Sequence, residues 1–375
     1  MKTDFEKTKN PFDDKAVATD VVTRGSVIAC GEKVQSLLPG KIRGGVAGAA
    51  SNPLYRDLAL GQRERSEEED EYFSCFEVDK DRILLSPAFR RLARKTQVFA
   101  FPNDHQRNRL THAVEVSQIA SKIAKALGLN VYLAEAIALG HDIGHGPGGH
   151  AAEQAFSQFI PGYFYHGSFG ADVVLAPMNL CLQTLDGIRN HSWSRPLPGT
   201  EEALVVSFAD RIAYCTHDLE DALQIGLVGK ECFPKEILSF IGEDKASQVK
   251  TFIKEIIFCF ENYSLVGMRR EYWEALTEFR KFNFEFIYNS PEVEMTNQMF
   301  ISLDKALVEF FTEHTEMLPA VTARGTPKYY GAEEDPLRRS INFVATMTDD
   351  YALYMGRELL DFKGLQRCFP IQICN

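Results

Sequence analysis

Histidine is scarce in this chain, nine in 375 residues, yet three of them crowd into Leu139–His150 (LGHDIGHGPGGH) beside an aspartate. His141 and Asp142 are adjacent, and neighbouring imidazole and carboxylate groups can offer nitrogen and oxygen donors to one divalent cation. Leu133, Ile137 and His141 stand at i, i+4 and i+8, which puts His141 on the buried stripe at the end of a helix. A lone buried carboxylate is costly, so an imidazole cluster with acid neighbours reads as a metal site. Two further blocks extend the set. His112 lies in Arg109-Leu-Thr-His112, at the start of an apolar-periodic segment, and Asp210 lies in Ser207–Asp221 (SFADRIAYCTHDLED). His112, His141, Asp142 and Asp210 would then come from three helices converging inside a bundle, a common place to build a metal site. Mixed histidine and carboxylate ligation suits Mn²⁺ or Mg²⁺ foremost, then Fe²⁺, Co²⁺ or Zn²⁺, and leaves positions open for water and phosphate.

The elements that must position these residues are helical. Val116, Ile119, Ala120, Ile123 and Leu127 repeat at helical spacing, and Gly128 follows as a C-cap. A second helix is expected from Asn130 to about His141, and a third from Glu201 to about Gly226. Between Lys235 and Leu318 come more amphipathic segments, among them SQVKTFIKEIIFCFENY and TNQMFISLDKALVEFFTEH. Alternating β-type runs are few, with Gly325–Gly331 (GTPKYYG) reading as a short hairpin or loop. Residues 1–53, including the Gly/Ala-rich Gly40–Ser51, read as a flexible N-terminal extension. The charged run Arg63–Glu71 (RERSEEEDE) reads as a solvated helix face or a mobile loop. The fold class is mainly α, a helical bundle with N- and C-terminal helical elaborations. Its core is expected over 54–230, and a C-terminal helical region over 231–375.

Composition narrows the function classes. Hydrophobic residues make up 45% and charged residues 25% of the chain, the ordinary globular range. No apolar run approaches the roughly 20 residues of a membrane span, and the charged start MKTDFEKTKNPFDDK has no signal-peptide apolar stretch. The eight cysteines are scattered without a CxxC pair, as expected of reduced thiols in a cytoplasmic protein. A net charge of −11 argues against nucleic-acid binding. The cluster Arg90, Arg91, Arg94 and Lys95 reads as an amphipathic helix pairing with acidic neighbours, or as a nucleotide pocket at a subunit interface. His105, His191, His217 and His314 read as surface or packing residues.

Several blocks in order resemble the HD-domain deoxynucleoside triphosphate triphosphohydrolases, the dGTPase-like family. They are Asp79–Phe99 (DKDRILLSPAFRRLARKTQVF), Arg109–Val116 (RLTHAVEV), His141–His150, Asp210–Ala222 (DRIAYCTHDLEDA) and Thr346–Ala352 (TMTDDYA). The resemblance runs from about Tyr55 to Leu227, with a further patch near Ala345–Arg357. It implies hydrolysis of a dNTP at the α-phosphorus to deoxynucleoside and tripolyphosphate, in control of dNTP pools, with the four metal ligands already named. By position His145 and His166 take the acid/base and phosphate-binding roles, with Glu153 orienting one of them. A carboxylate bonded to an imidazole holds its tautomer and raises its pKa. His150 and Arg109 would neutralise phosphate oxygens. Gln97 and Val98 would face the deoxyribose, Tyr214 would stack on the sugar, Asp218 would read the 3′-hydroxyl, and Arg211 would contact phosphate. Tyr351, in the late block, joins the substrate-binding set. The implied partners are a dNTP substrate, an allosteric dNTP, and copies of the same chain in a tetramer or hexamer, with no membrane. The C-terminal region would complete the substrate pocket and carry oligomer contacts. The chain departs from the family pattern at Gly146 and Gly148, where Pro and Phe are usual, at Ala152 in place of Gly, and at Gly167 in place of Asn. The alternatives are another HD phosphohydrolase, acting on nucleoside monophosphates, cyclic nucleotides or alarmones, and a weakly catalytic nucleotide sensor.

Overall fold

The computed structural model describes residues 20–24, 26–28, 61–319 and 335–363. The linker reading of Gly40–Ser51, the start of the resemblance at Tyr55 and the hairpin reading of Gly325–Gly331 lie outside them. The helices in chain order are α1 Cys75–Leu85, α2 Pro87–Arg91, α3 Arg109–Leu127, α4 Val131–Gly140, α5 His150–Phe156, α6 His166–Phe169 and α7 Leu182–Asn190. They continue as α8 Glu201–Gln224, α9 Lys235–Ile241, α10 Lys245–Tyr263, α11 Arg270–Asn283, α12 Pro291–Glu313, α13 Pro336–Ala345 and α14 Asp349–Leu360. Two π-helical turns, Gly170–Val174 and Phe284–Tyr288, follow α6 and α11. The mainly α class is therefore observed. No helix among the described residues is long and apolar enough to cross a membrane.

Local chemistry explains the three helices that matter most. Asn108 caps α3 by accepting from the Thr111 amide, Thr111 answers with its hydroxyl, and Gly128 ends the helix at φ 69°. That left-handed backbone is natural to glycine. Asn130 caps α4 through the Leu133 amide, and α4 stops as the chain reaches His141. Thr200 caps α8, and Glu201 and Glu202 in its first turn complement the helix dipole. Helix α3 packs on both α4 and α8, so the first turn of α3, the end of α4 and the middle of α8 meet in the core.

Two peripheral features bear on the expected organisation. Val21–Thr23 (β1) pairs antiparallel with Ser26–Ile28 (β2) and with Met268–Arg269 (β3), giving the order β2-β1-β3. This part of the expected flexible extension is ordered because Val21 and Val22 bury their β-branched side chains. The run Arg63–Glu71 is an exposed loop, one of its two expected forms, and not a helix face; only its first residue is drawn in against the core. Arg63 bonds Asp79 at 2.7 Å, and Asp79 also accepts from the Cys181 amide at 2.8 Å and the Thr184 hydroxyl at 2.7 Å. That buried carboxylate ties α1 to the start of α7.

Candidate metal centre

His112 projects from the first turn of α3, His141 and Asp142 follow α4, and Asp210 lies near the middle of α8. The His112 Nε2 is 3.1 Å from Asp210 Oδ1. The His141 Nε2 is 3.4 Å from Asp142 Oδ1 and 3.7 Å from Asp210 Oδ1. The His141 Nδ1–H donates to the Ala138 carbonyl at 2.6 Å, which fixes the tautomer and leaves Nε2 buried without a hydrogen-bond partner. Arg109 donates to Asp142 Oδ2 at 2.7 Å, so that carboxylate keeps Oδ1 for the cluster. The structure thus brings the four expected ligands together. Ligand atoms of His112, His141 and Asp142 all lie within 4.8 Å of one another. An orphaned Nε2 facing two carboxylate oxygens fits a divalent cation.

Charge in the cluster follows the same geometry. Burial pushes Asp142 up, but the His141, Arg109 and His145 charges hold it well below the usual carboxylate range. Asp210, likewise buried, is brought down to about 2 by the His112 hydrogen bond and the His141 charge. For His145 burial dominates, with the Arg109 and His166 charges adding to it, and its pKa falls well below the ordinary imidazole value.

The remaining expected residues divide. His166 opens α6, and both its backbone N–H and its Nδ1–H donate to Glu153 Oε1, at 2.8 and 2.7 Å. Glu153 is pushed up by burial but held at about 2 by the His166 charge and hydrogen bond. The His145 ring stacks on His166 at 3.6 Å between centroids, and the His145 Nε2 is 3.2 Å from Asp142 Oδ1. His150 lies at a cavity of about 310 Å³ that also touches Glu153, His166 and Arg195. Gln97 and Val98 are half-buried, with the Gln97 Oε1 lacking a partner. Tyr214 accepts from the Arg280 Nε at 3.1 Å. Asp218 accepts from the Tyr288 hydroxyl at 2.7 Å, and its Oδ1 is buried without a partner. Burial pushes Asp218 up to about 7 against the His112 charge and the Tyr288 bond. The Arg211 guanidinium lies over Trp193 at 4.1 Å and Trp273 at 5.0 Å. Tyr351 is exposed, its ring beside Tyr354.

Two residues beside the cluster were not foreseen there. His191, expected at the surface or packed, is 3% exposed, packed between the His141 and His166 rings, and its Nε2 is 3.1 Å from the His166 Nε2. The signal for it is a parallel in the chain, since Asn190-His191 ends α7 as Gly140-His141 ends α4. His217 does pack, pairing with Glu115 at 2.8 Å. Tyr288 had no sequence signal and enters the site through the π-turn after α11.

Around these residues a second layer holds the loop between His141 and His150. Lys95 is 3% exposed and donates to the carbonyls of His145 and Ala345. The basic cluster therefore splits, for Arg94 instead pairs with Asp350 at an exposed site. Asp349 accepts from the Gly148 amide at 3.0 Å, the Thr96 amide at 2.7 Å and the Thr96 hydroxyl at 2.6 Å. The unusual glycines are close-packed. Gly148 has φ 67°, and a Cβ there would lie 2.4–2.6 Å from Phe300 of α12, so that ring fills the volume a side chain would take. At Gly167 a Cβ would lie 2.9 and 3.0 Å from the Ile188 and Arg189 carbonyls and 3.2 Å from the His191 ring. Glycine there lets α6 press against the end of α7.

A helical core in which separated histidines and aspartates converge on one point defines a metal-binding phosphohydrolase of the HD class. The HD-domain family matches residues 109–215, and the phosphohydrolase-associated domain matches residues 266–358. A "deoxyguanosinetriphosphate triphosphohydrolase-like protein" of Clostridium perfringens strain SM101 is 39% identical over 317 residues, covering 79% of this chain and 90% of that one. Proteins of the same description from Caldanaerobacter subterraneus and Desulfatibacillum aliphaticivorans are 37% and 34% identical, covering 79% and 75% of this chain and 88% and 86% of theirs. The chain belongs to the deoxyguanosinetriphosphate triphosphohydrolase-like family of HD-domain phosphohydrolases.

Proposed function

We propose that this chain hydrolyses deoxynucleoside triphosphates to deoxynucleoside and tripolyphosphate, with a divalent ion held by His112, His141, Asp142 and Asp210. The observation that carries the reading is the convergence of those four side chains beside a second group, His145, His150, Glu153 and His166. Mn²⁺ or Mg²⁺ suits the donor set, and such an ion supplies Lewis-acid polarisation of a phosphoryl oxygen and a more acidic water. The chain's own residues do the rest. Arg109 orients Asp142 and offers a second N–H face to phosphate oxygen, since its terminal NH2 group is buried without a partner. Glu153 fixes the His166 tautomer. A 5′-oxygen leaves as an alkoxide unless a positioned imidazolium protonates it; with burial holding His145 neutral, His166, paired to Glu153, is the residue to deliver that proton. Tyr214 and Asp218 take the sugar, with the free Asp218 Oδ1 available to accept a 3′-hydroxyl.

Incubating the chain with each dNTP, singly and in mixtures, with Mn²⁺ or Mg²⁺ tests this. Tripolyphosphate and deoxynucleoside should appear in equal amounts, and Asp210→Ala should abolish both turnover and metal loading. Release of mono- or pyrophosphate, or tight dNTP binding without hydrolysis, would overturn the reading.

A further inference from the structure

Cys75 and Cys181 are 106 positions apart in the chain, yet they meet at the far end of α7 from His191. Cys75 is the first residue of α1, and Cys181 is the N-cap of α7. Their sulfurs crowd a single point. A Cβ added to Gly61 would lie 2.7 Å from the Cys75 Sγ and 2.4 Å from the Cys181 Sγ, so the two sulfurs are within about 5 Å of each other. Residues 61–63 tie the two helix starts in that position. The Gly61 N–H donates to the Cys75 Sγ at 3.3 Å, and the Leu182 N–H donates to the Gln62 carbonyl at 2.6 Å. Arg63 donates to the Cys75 carbonyl at 2.9 Å and to Asp79 at 2.7 Å, and Asp79 takes the Cys181 amide at 2.8 Å.

The two thiols differ in access and in charge. Cys75 is partly exposed, whereas Cys181 is buried. Hydrogen bonds from the Cys181 thiol and the Gly61 amide bring Cys75 down to about 7 against the effect of burial. The bond to Cys75, burial and the Asp79 charge together push Cys181 up. An accessible thiolate beside a second, protonated sulfur suits a pair in which one attacks an oxidant and the other resolves the product.

We propose that Cys75 and Cys181 are a modification site, a dithiol that a hydroperoxide closes into a disulfide between the starts of α1 and α7. The Cys75 thiolate attacks the peroxide, an S–O bond forms as the O–O bond breaks, and the leaving oxygen takes a proton from solvent. The Cys181 sulfur then attacks the Cys75 sulfenic acid. The S–S bond forms as the S–O bond breaks, and the departing hydroxide leaves as water with the Cys181 proton. Two thiols are oxidised and one hydroperoxide is reduced to an alcohol, or to water from hydrogen peroxide, plus one water. Rotation about the two Cα–Cβ bonds makes the remaining approach, to an S–S bond of about 2.05 Å. Helix α7 has nine residues and spans roughly 13 Å, so the bond forms a helix length away from the metal cluster. It acts by fastening α1 to α7.

The test is a peptide map of the full chain after hydrogen peroxide treatment and alkylation of the remaining thiols. The Cys75 and Cys181 peptides should be joined, about 2 Da lighter than the two thiols, and released by dithiothreitol. The oxidised chain should melt several degrees higher than the reduced one, because the bond closes a long loop. In Cys181→Ser, dimedone should trap a sulfenic acid on Cys75; in Cys75→Ser, the Cys181 thiol should stay unreacted. Absence of the cross-link at a peroxide dose that oxidises the exposed Cys232 would overturn the proposal. So would a sulfenic acid trapped on Cys181 in Cys75→Ser, a Cys75 disulfide to any other cysteine, or an oxidised chain that melts no higher than the reduced one.

Discussion

Asp349 offers the sharpest test of how the catalytic loop is held, because its three partners separate two substitutions of nearly equal size. Its Oδ1 accepts from the Gly148 amide, and its Oδ2 from the Thr96 amide and hydroxyl. In Asp349→Asn only one of the two terminal atoms remains an acceptor. If the amide oxygen faces Gly148, the NH2 group meets the Thr96 N–H, though the Thr96 hydroxyl can turn and accept. With the amide reversed, the Gly148 N–H is the one left facing a donor. Either way one buried backbone N–H loses its partner, a loss of about 1–3 kcal/mol. Asp349→Ala strands both amides, so its loss should be about twice as large, roughly 2–6 kcal/mol. Gly148 lies between His145 and His150, so the loosened loop should also misplace those imidazoles, and a shift of about 1 Å can lower turnover by about 100-fold. Urea denaturation of wild type and both variants, with tripolyphosphate release from dGTP measured in parallel, checks this. Asn within about 0.5 kcal/mol of wild type at unchanged turnover, or Asn more damaging than Ala, would refute the hydrogen-bond argument.

Gly148→Ala should destabilise by about 2–4 kcal/mol from left-handed strain and overpacking together; made in a Phe300→Ala background, the ring clash is removed while the contact with the residue-300 Cβ and the strain remain, so the cost should fall only in part, read by denaturation of the four proteins of the cycle. Arg107 bonds Glu115, Glu220 and Asp221; Glu115 keeps His217 and Glu220 keeps Lys245, so Arg107→Met should cost about 3–5 kcal/mol chiefly by stranding the buried Asp221 carboxylate. Glu115 is pushed up by burial but brought to about 2 by His217 and Arg107, so its stabilisation is full above its unfolded value and is lost as pH falls towards 2; Arg107→Met should flatten that acid limb of a melting-temperature profile. Asp218 behaves oppositely. Its folded pKa of about 7 lies above the unfolded value, so stability drains as pH rises from about 4 to about 7, at roughly 1.4 kcal/mol for each pH unit. Asp218→Asn should remove that slope and melt higher than wild type at pH 8, while weakening binding of a dNTP relative to its 3′-deoxy analogue.

Much of the architecture is written in short-range chemistry. The Asn108, Asn130 and Thr200 caps and the Gly128 stop each act within one turn, so the helices carrying His112, His141 and Asp210 are legible in the sequence. What resists reading is whatever depends on long-range packing. His191 has no acid beside it in sequence and gains its partners only when α7 lies against α6, a contact that Gly167 permits by lacking a Cβ. Tyr288 reaches Asp218 from 70 residues away. Arg24 is remote by more than 160 positions from the carbonyls of Asn190 and His191 that it caps, and composition alone reads as a loose tail there. Arg211 shows the converse. Its place beside Asp210 is plain in the sequence, but its guanidinium is drawn off onto Trp193 and Trp273.

The long-range contacts share a direction. Phe300 of α12 fills the space at Gly148, Asp349 of α14 holds the Gly148 and Thr96 amides, and the Ala345 carbonyl of α13 shares Lys95 with the His145 carbonyl. All three come from the region matching the phosphohydrolase-associated domain, and all three act on the short loop that carries His145 and His150. A loop with glycine at 144, 146, 148 and 149 has little conformational preference of its own. Its order must therefore be supplied from outside, and here the C-terminal helices supply it. The HD motif provides the ligands, but their spacing depends on residues some 150 to 200 positions further along. This division also accounts for Gly148: where Phe300 supplies the aromatic bulk from α12, a side chain on the loop would duplicate it.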